Sequence, residues 1–154
     1  MIEITDVRSL GERLDEELAV SDWLDVTQER IDKFADATGD RQWIHVDVAR
    51  AEASPFRSTI AHGFLTLSLV SALGARAMRV NVPGGLRMAI NYGTNKVRFM
   101  SPVPAGSKIR GRFTPVALAE ENGCFQVTWR VTVEREGVEK PCCVAEWVVR
   151  YYPH

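Results

Sequence analysis

Cysteine is scarce: three residues among 154, an odd number, and the adjacent pair Cys142-Cys143 lacks the Cys-x-x-Cys spacing of zinc and redox sites. Neither feature suits a disulfide framework or a cysteine-built metal centre, and reduced, buried thiols are expected. Net charge is lacking too, since 19 basic against 20 acidic side chains leave −1. No whole-molecule field exists to gather nucleic acid or an anionic membrane. No apolar run approaches the ~18 uninterrupted residues of a membrane span. The start, Met1-Ile2-Glu3-Ile4-Thr5-Asp6, has no basic region leading into an apolar stretch. A cytoplasmic protein without nucleic-acid or membrane partners is the expectation. Internal repeats and low-complexity tracts are absent.

What is present suits a globular fold. With 45% apolar and 25% charged residues over 154 positions, the chain has the length of one well-buried domain spanning 1–154. Val7, Leu10, Leu14 and Leu18 recur at helical spacing and predict a short amphipathic helix over 6–17, peripheral within an N-terminal segment 1–19. An extended stretch follows around Ala19–Val26. Thr27-Gln28-Glu29-Arg30 has the form of an N-cap, and Ile31, Phe34, Ala35 and Thr38 predict a second helix that stops at Gly39. Residues 40–61 read as a long loop carrying one or two helical turns, a length usually associated with function. Gly63–Met78 is apolar nearly all round, the profile of a central helix wrapped by other structure.

The C-terminal half changes character. Segments 86–100, 107–119, 124–136 and 142–152 are rich in Val, Ile, Thr and aromatic residues. Pro104-Ala105-Gly106, Glu121-Asn122-Gly123 and Glu136-Gly137 separate them as turn signals. Four antiparallel strands in a meander are predicted, with Glu120, Glu121 and Asn122 at an exposed hairpin tip. The fold class is α+β, a sheet curled around one long helix.

Chemistry concentrates between Ala37 and Gly63. In Ala37-Thr-Gly-Asp40-Arg-Gln42-Trp43-Ile-His45 a glycine stop is followed by a carboxylate and, five residues on, an imidazole. Such a pair can converge on one water, because His titrates near neutrality and a partly desolvated Asp can be tuned towards it. Taken alone the spacing is a weak signal, and a turn Asp followed by an ordinary loop His is the simpler account. Ala61-His62-Gly63 lies where the loop becomes the central helix, whose first N–H groups lack intrahelical partners, so Gly63 could donate to a developing oxyanion. A glycine that merely permits a tight loop-to-helix turn accounts for the motif equally well. Ser71, two turns beyond Gly63, could face the same side, although a serine bonded to its own helix is simpler. Lys96 and Arg98 share a strand face by period-two alternation, and Arg98 is the better candidate for a phosphate or carboxylate partner. Asp40, His45 and His62 also make a ligand set of two imidazoles and a carboxylate, the alternative reading as a metal site.

Three strings in order, Ala37-Thr-Gly-Asp40-x4-His45, Ile60-Ala-His-Gly63 and Lys96-Val-Arg-Phe-Met-Ser-Pro-Val-Pro-Ala-Gly106, resemble the MaoC-like (R)-specific enoyl-CoA hydratases and dehydratases over roughly residues 20–152. The resemblance implies a single hotdog domain and an (R)-specific hydration of trans-2-enoyl-CoA. It implies Asp40 and His45 as catalytic pair and Gly63 as oxyanion donor; Gln42, Trp43, His62, Ser71 and Arg98 are then the candidate substrate-binding residues. It further implies no metal and no cofactor, the CoA thioester being the substrate, and a homodimer that closes the sheet edge. One departure stands out: Gln42-Trp43 replaces the family's Asn-Pro, a form similar to a nodulation protein N-like subgroup. Losing Pro frees φ and adds a large ring near the expected acyl tunnel. A hotdog thioesterase and a non-catalytic acyl-binding protein remain the alternative functions.

Overall fold

The computed structural model describes every residue from Met1 to His154. In chain order it contains β1 (Ile2–Ile4), a 3₁₀ helix (Val7–Glu12), β2 (Ala19–Val20), β3 (Leu24–Val26), α1 (Gln28–Thr38), α2 (Trp43–Val46), α3 (Val48–Glu52) and α4 (Gly63–Ala77). There follow β4 (Met78–Val80), β5 (Leu86–Phe99), β6 (Ser107–Glu121), β7 (Cys124–Arg135) and β8 (Cys143–Pro153).

Local sequence accounts for several elements directly. Thr27 caps α1 by accepting from the Arg30 N–H, and Gly39 ends it in the left-handed region at φ 80°. Asn122 and Gly123 both carry positive φ, 51° and 73°, as a two-residue hairpin turn requires, and they join β6 to β7. Along β6 the buried positions alternate through Ile109, Phe113 and Pro115. On β8 the same alternation buries Cys143, Ala145, Trp147, Val149 and Tyr151. These rows form one side of the core, and α4 lies against it through Leu65, Leu69, Leu73 and Ala77. The three cysteines are free and buried, and burial pushes Cys142 up to about 12 and Cys143 up to about 11.

The order of strands corrects the expected meander. The sheet runs β2–β6–β7–β8–β5, with β3 also on β6, so β5 leaves its chain neighbour β6 and pairs with the last strand. The connection from Met100 to Gly106 holds Pro102 and Pro104, which have no N–H for a ladder, and it crosses the sheet end instead of turning back. This connection is tied to the loop before α4, because Ala61 N–H donates to Val103 and Ala105 N–H donates to Thr59.

Four further expectations change. The predicted helix over 6–17 is a single 3₁₀ stretch of six residues, and it is not peripheral: Val7 and Leu10 belong to the core while Leu14 is exposed. Only that i, i+3 pair faces inward, which a 3₁₀ turn satisfies and a longer α-helix would not improve. Met78 is not helical but begins β4, drawn into a parallel pair with β1 through the register Ile2–Met78. Lys96 and Arg98 do not share a face by simple alternation, because a bulge between Asn95 and Arg98 adds a residue and Lys96 has φ 51°. Finally, α4 is covered on one side only. Phe64, Ser68, Ser71, Ala72 and Ala75 are exposed, because apart from Phe99 at its end β5 is separated from the helix by cavities and one chain's sheet curls only part way around it.

Candidate active site

The loop between α1 and α4 folds back so that Asp40, His45 and His62 present side-chain ligand atoms within 4.8 Å of one another. Asp40 follows the Gly39 stop and is exposed; its carboxylate accepts a long 3.4 Å bond from the Gln42 N–H. His45 sits in α2 and is 6% exposed. Its Nδ1 lies 2.7 Å from the Ile60 carbonyl. A carbonyl only accepts, so Nδ1 carries the proton and Nε2 is left as a lone pair. Burial pulls the His45 imidazole below its ordinary 6.5; the Ile60 carbonyl and Asp40 oppose this, and His62 adds to it. His45 is therefore a neutral acceptor at neutral pH, the state a general base requires.

His62 plays a different part from the one its place beside Gly63 suggests. It is 2% exposed, and Nε2 donates to the Asp40 backbone carbonyl at 2.8 Å. Its ring stacks on His45 at 3.8 Å between centroids and 24° between planes, with Phe34 tilted against it at 4.9 Å. His62 thus braces both members of the pair from behind. The stack also bears on the metal reading. Two nearly parallel rings direct their lone pairs along separate planes, and an ion ~2.1 Å from both nitrogens would have to leave at least one plane. The residues do not fit a shared ion.

Gly63 is the first residue of α4, and its predecessor His62 supplies no side-chain cap. The glycine is explained by space and not by a turn: a Cβ there would lie 2.7 Å from the Phe99 ring, which packs over the helix start and meets Phe64 edge-on at 5.7 Å. The first N–H groups of the helix, at its positive dipole end, have no intrahelical partner and no side-chain cap from His62.

Two cavities of about 220 and 460 Å³ follow α4 away from this point, between the helix and strands β5 and β8. Both are lined by Ser71, Asn91 and Trp147. Ser71 makes no bond to its own helix comparable with the one Ser68 makes to Leu65. Trp147 Nε1–H donates to Asn91 Oδ1 at 2.9 Å where the cavities meet. The remaining sequence candidates lie elsewhere. Gln42 occupies the cap position of α2, exposed, without a side-chain bond. The Trp43 ring lies under the Arg50 guanidinium at 4.3 Å and lines neither cavity. Arg98 pairs with Val144 while adjacent Phe99 pairs with buried Cys143, so Arg98 is on the sheet face turned from α4. It donates only to the Val97 carbonyl.

Sequence reading missed the residues that hold the loop together. Gln28 Nε2 donates to the His45 carbonyl and to Asp32, both at 2.8 Å, and its Oε1 accepts from buried Thr59. No spacing links positions 28, 45 and 59, and Gln28 looked like any first residue after a cap.

The family model described as "MaoC like domain" matches residues 9–138. The chain is 51% identical over 146 residues to "3-hydroxyacyl-thioester dehydratase Z" of Mycobacterium tuberculosis, covering 94% of this chain and 95% of the relative. It is 45% identical to "Nodulation protein N" of Rhizobium leguminosarum bv. viciae, over 96% and 89% respectively. Among solved structures, an R-hydratase from Pseudomonas aeruginosa in the unliganded form superposes with a TM-score of 0.73 at 24% identity, covering 92% of this chain and 84% of that one. At these identities the solved structure supports the shared fold alone, a curled antiparallel sheet on a long helix.

Proposed function

Because the chain belongs to the MaoC-like dehydratase family, and is a hydro-lyase with it, we propose that it is an (R)-specific enoyl-CoA hydratase, reversibly adding water syn across trans-2-enoyl-CoA. The observation that carries the reading is a neutral His45 with Nε2 free, beside the Asp40 carboxylate and next to the uncapped start of α4. Asp40 and His45 hold one water against C3. As the water oxygen bonds to C3 its proton passes to Asp40, and the C2=C3 electron pair moves towards the thioester, whose oxygen accepts from the Gly63 N–H. Collapse of that enolate takes a proton from the pair onto C2, restoring both groups and leaving the (R)-3-hydroxyacyl thioester. No metal or cofactor enters.

The acyl chain has a place in the cavities along α4, whose lining includes Leu67, Val70, Leu86, Ala89 and Val149. A homodimer is part of the reading. Strand β5 is an exposed edge displaying Leu86, Met88, Ile90 and Tyr92, an aggregation liability that a second copy would cover. A cytoplasmic setting suits three free, buried thiols; no helix is long and apolar enough to cross a membrane.

The test is the ultraviolet absorbance of the conjugated enoyl thioester, with crotonyl-CoA and a medium-chain enoyl-CoA. Loss of absorbance without thiol release, abolished by Asp40→Asn, is the expected result. Thiol release would make the protein a thioesterase, and binding without turnover an acyl carrier or sensor.

A further inference from the structure

We infer that Gln28 is a positioning residue for His45, acting through a three-way amide clamp that joins α1 to both chain segments enclosing the imidazole; this rests on the catalytic role proposed for His45. The His45 ring depends on two backbone pieces, its own in α2 and the Thr59–Ile60 segment whose carbonyl accepts from Nδ1. Those pieces come from opposite ends of the loop. They are joined by the Ile60 N–H bond to Ile44 at 3.0 Å and by Gln28. One amide satisfies both: its NH2 donates to the His45 carbonyl and its oxygen accepts from the Thr59 hydroxyl. The second NH2 proton goes to Asp32, one turn along α1, which fixes the amide's orientation so that donor and acceptor cannot exchange. Thr59 is 2% exposed, so its hydroxyl has no ready water to replace Gln28.

α1 itself is a rigid support, capped at both ends. Its clamp therefore transmits a fixed reference to a loop that otherwise holds only short helical turns. The groups charged or titratable around His45 are Asp40 in the loop, His62 at the start of α4, and Asp32 reaching Gln28 from α1. Removing the clamp loosens the Ile60–Nδ1 bond, and since that bond favours the imidazolium, the His45 pKa falls further. Replacing the amide by a carboxylate keeps the acceptor for Thr59, loses the donor to His45, and adds a negative charge, so the pKa rises.

The experiment compares Gln28→Leu, Gln28→Glu and Thr59→Val with the wild-type full chain. His45 is titrated by NMR of its ring, and hydration of crotonyl-CoA is measured as kcat and KM. The expected result is a kcat lowered about 10- to 100-fold by Gln28→Leu, with KM changed less than about threefold. The His45 titration moves down in Gln28→Leu and Thr59→Val and up in Gln28→Glu. A Gln28→Leu protein with lowered thermal stability but unmoved His45 titration and near wild-type kcat would make the clamp merely structural and overturn the inference. If Gln28→Leu fails to fold, Thr59→Val, which removes one bond, decides it by the same two readouts. Because the ring titration needs no turnover, a protein inactive on every enoyl thioester would sink the hydratase reading while leaving the clamp to stand or fall on the NMR.

Discussion

Replacing Gly63 by Ala perturbs the start of α4 by a known amount. The added Cβ would stand 2.7 Å from the Phe99 ring where ordinary contact begins at 3.4 Å, so 0.7 Å must be taken up by the ring or by the helix start. Phe99 is 45% exposed and partly free to swing, which places the stability cost at the low end of overpacking, about 1 kcal/mol. For a chain of this length that is a Tm lower by about 2–4 °C. Catalysis is more sensitive, because a displacement approaching 1 Å of a group aimed at the reacting oxygen costs about 10²-fold. The expected outcome is a kcat reduced about 10- to 100-fold with the fold intact. The double variant Gly63→Ala/Phe99→Ala, relieved of the clash, should recover turnover to the level of Phe99→Ala alone. The assay is steady-state hydration of crotonyl-CoA beside a thermal melt. A kcat within about threefold of wild type at a lowered Tm would refute the reasoning, since the helix start would then have moved without touching the chemistry.

Other expectations follow from the same geometry. His45→Ala should lower kcat/KM by about 10²–10⁴. In the wild type, activity should be lost as pH falls below the ordinary imidazole value of 6.5, because the folded-state pKa of His45 is depressed and protonation of its Nε2 removes the acceptor that holds the water beside Asp40; an acid limb at or above 6.5 contradicts this. The same depression means that His45 contributes stability above 6.5 that is lost as pH falls through its folded value, readable as a falling Tm. Gly74→Val places a side chain against Trp147, 2.9 Å from the Cβ position, and should discriminate against medium-chain substrates while sparing crotonyl-CoA; an unchanged chain-length ratio would mean the acyl group lies elsewhere. Dialysis against a chelator should leave activity unchanged, and restoration by added metal would overturn the reading of the stacked histidines.

Much of this fold was legible because its determinants are local. Thr27 and Gly39 bracket α1 with capping chemistry that depends on a few neighbouring residues. Asn122-Gly123 makes its hairpin for the same reason, and the alternation on β8 follows from one buried face. Features set by partners distant in sequence were not legible. The β5–β8 pairing, the Ile2–Met78 pair and the bulge at Lys96 each depend on which strand arrives alongside, and short segments carry no periodicity to announce it. In the site, Asp40, His45 and Gly63 stood out by residue type and spacing. The bracing role of His62 is not legible, because sequence adjacency to Gly63 says nothing about which way a ring turns. Gln28 was invisible because its significance is a meeting of three segments.

The pairing of β5 with the last strand also sets an order of assembly. As the chain leaves the ribosome, β6 and β7 can close their hairpin at once, whereas β5 has no partner until β8 has been made. During that interval a fourteen-residue strand carrying Met88, Ile90 and Tyr92 is unpaired along both edges. The connection that presses Val103 and Ala105 against the loop before α4 is held at its β6 end by the Gly106 N–H bond to Val26, but its β5 end is fixed only when β5 docks and the Met100 N–H reaches the Cys142 carbonyl. A nascent or truncated chain lacking β8 is therefore both inactive and adhesive, and the final strand acts as the clasp that makes the protein safe and functional in one event.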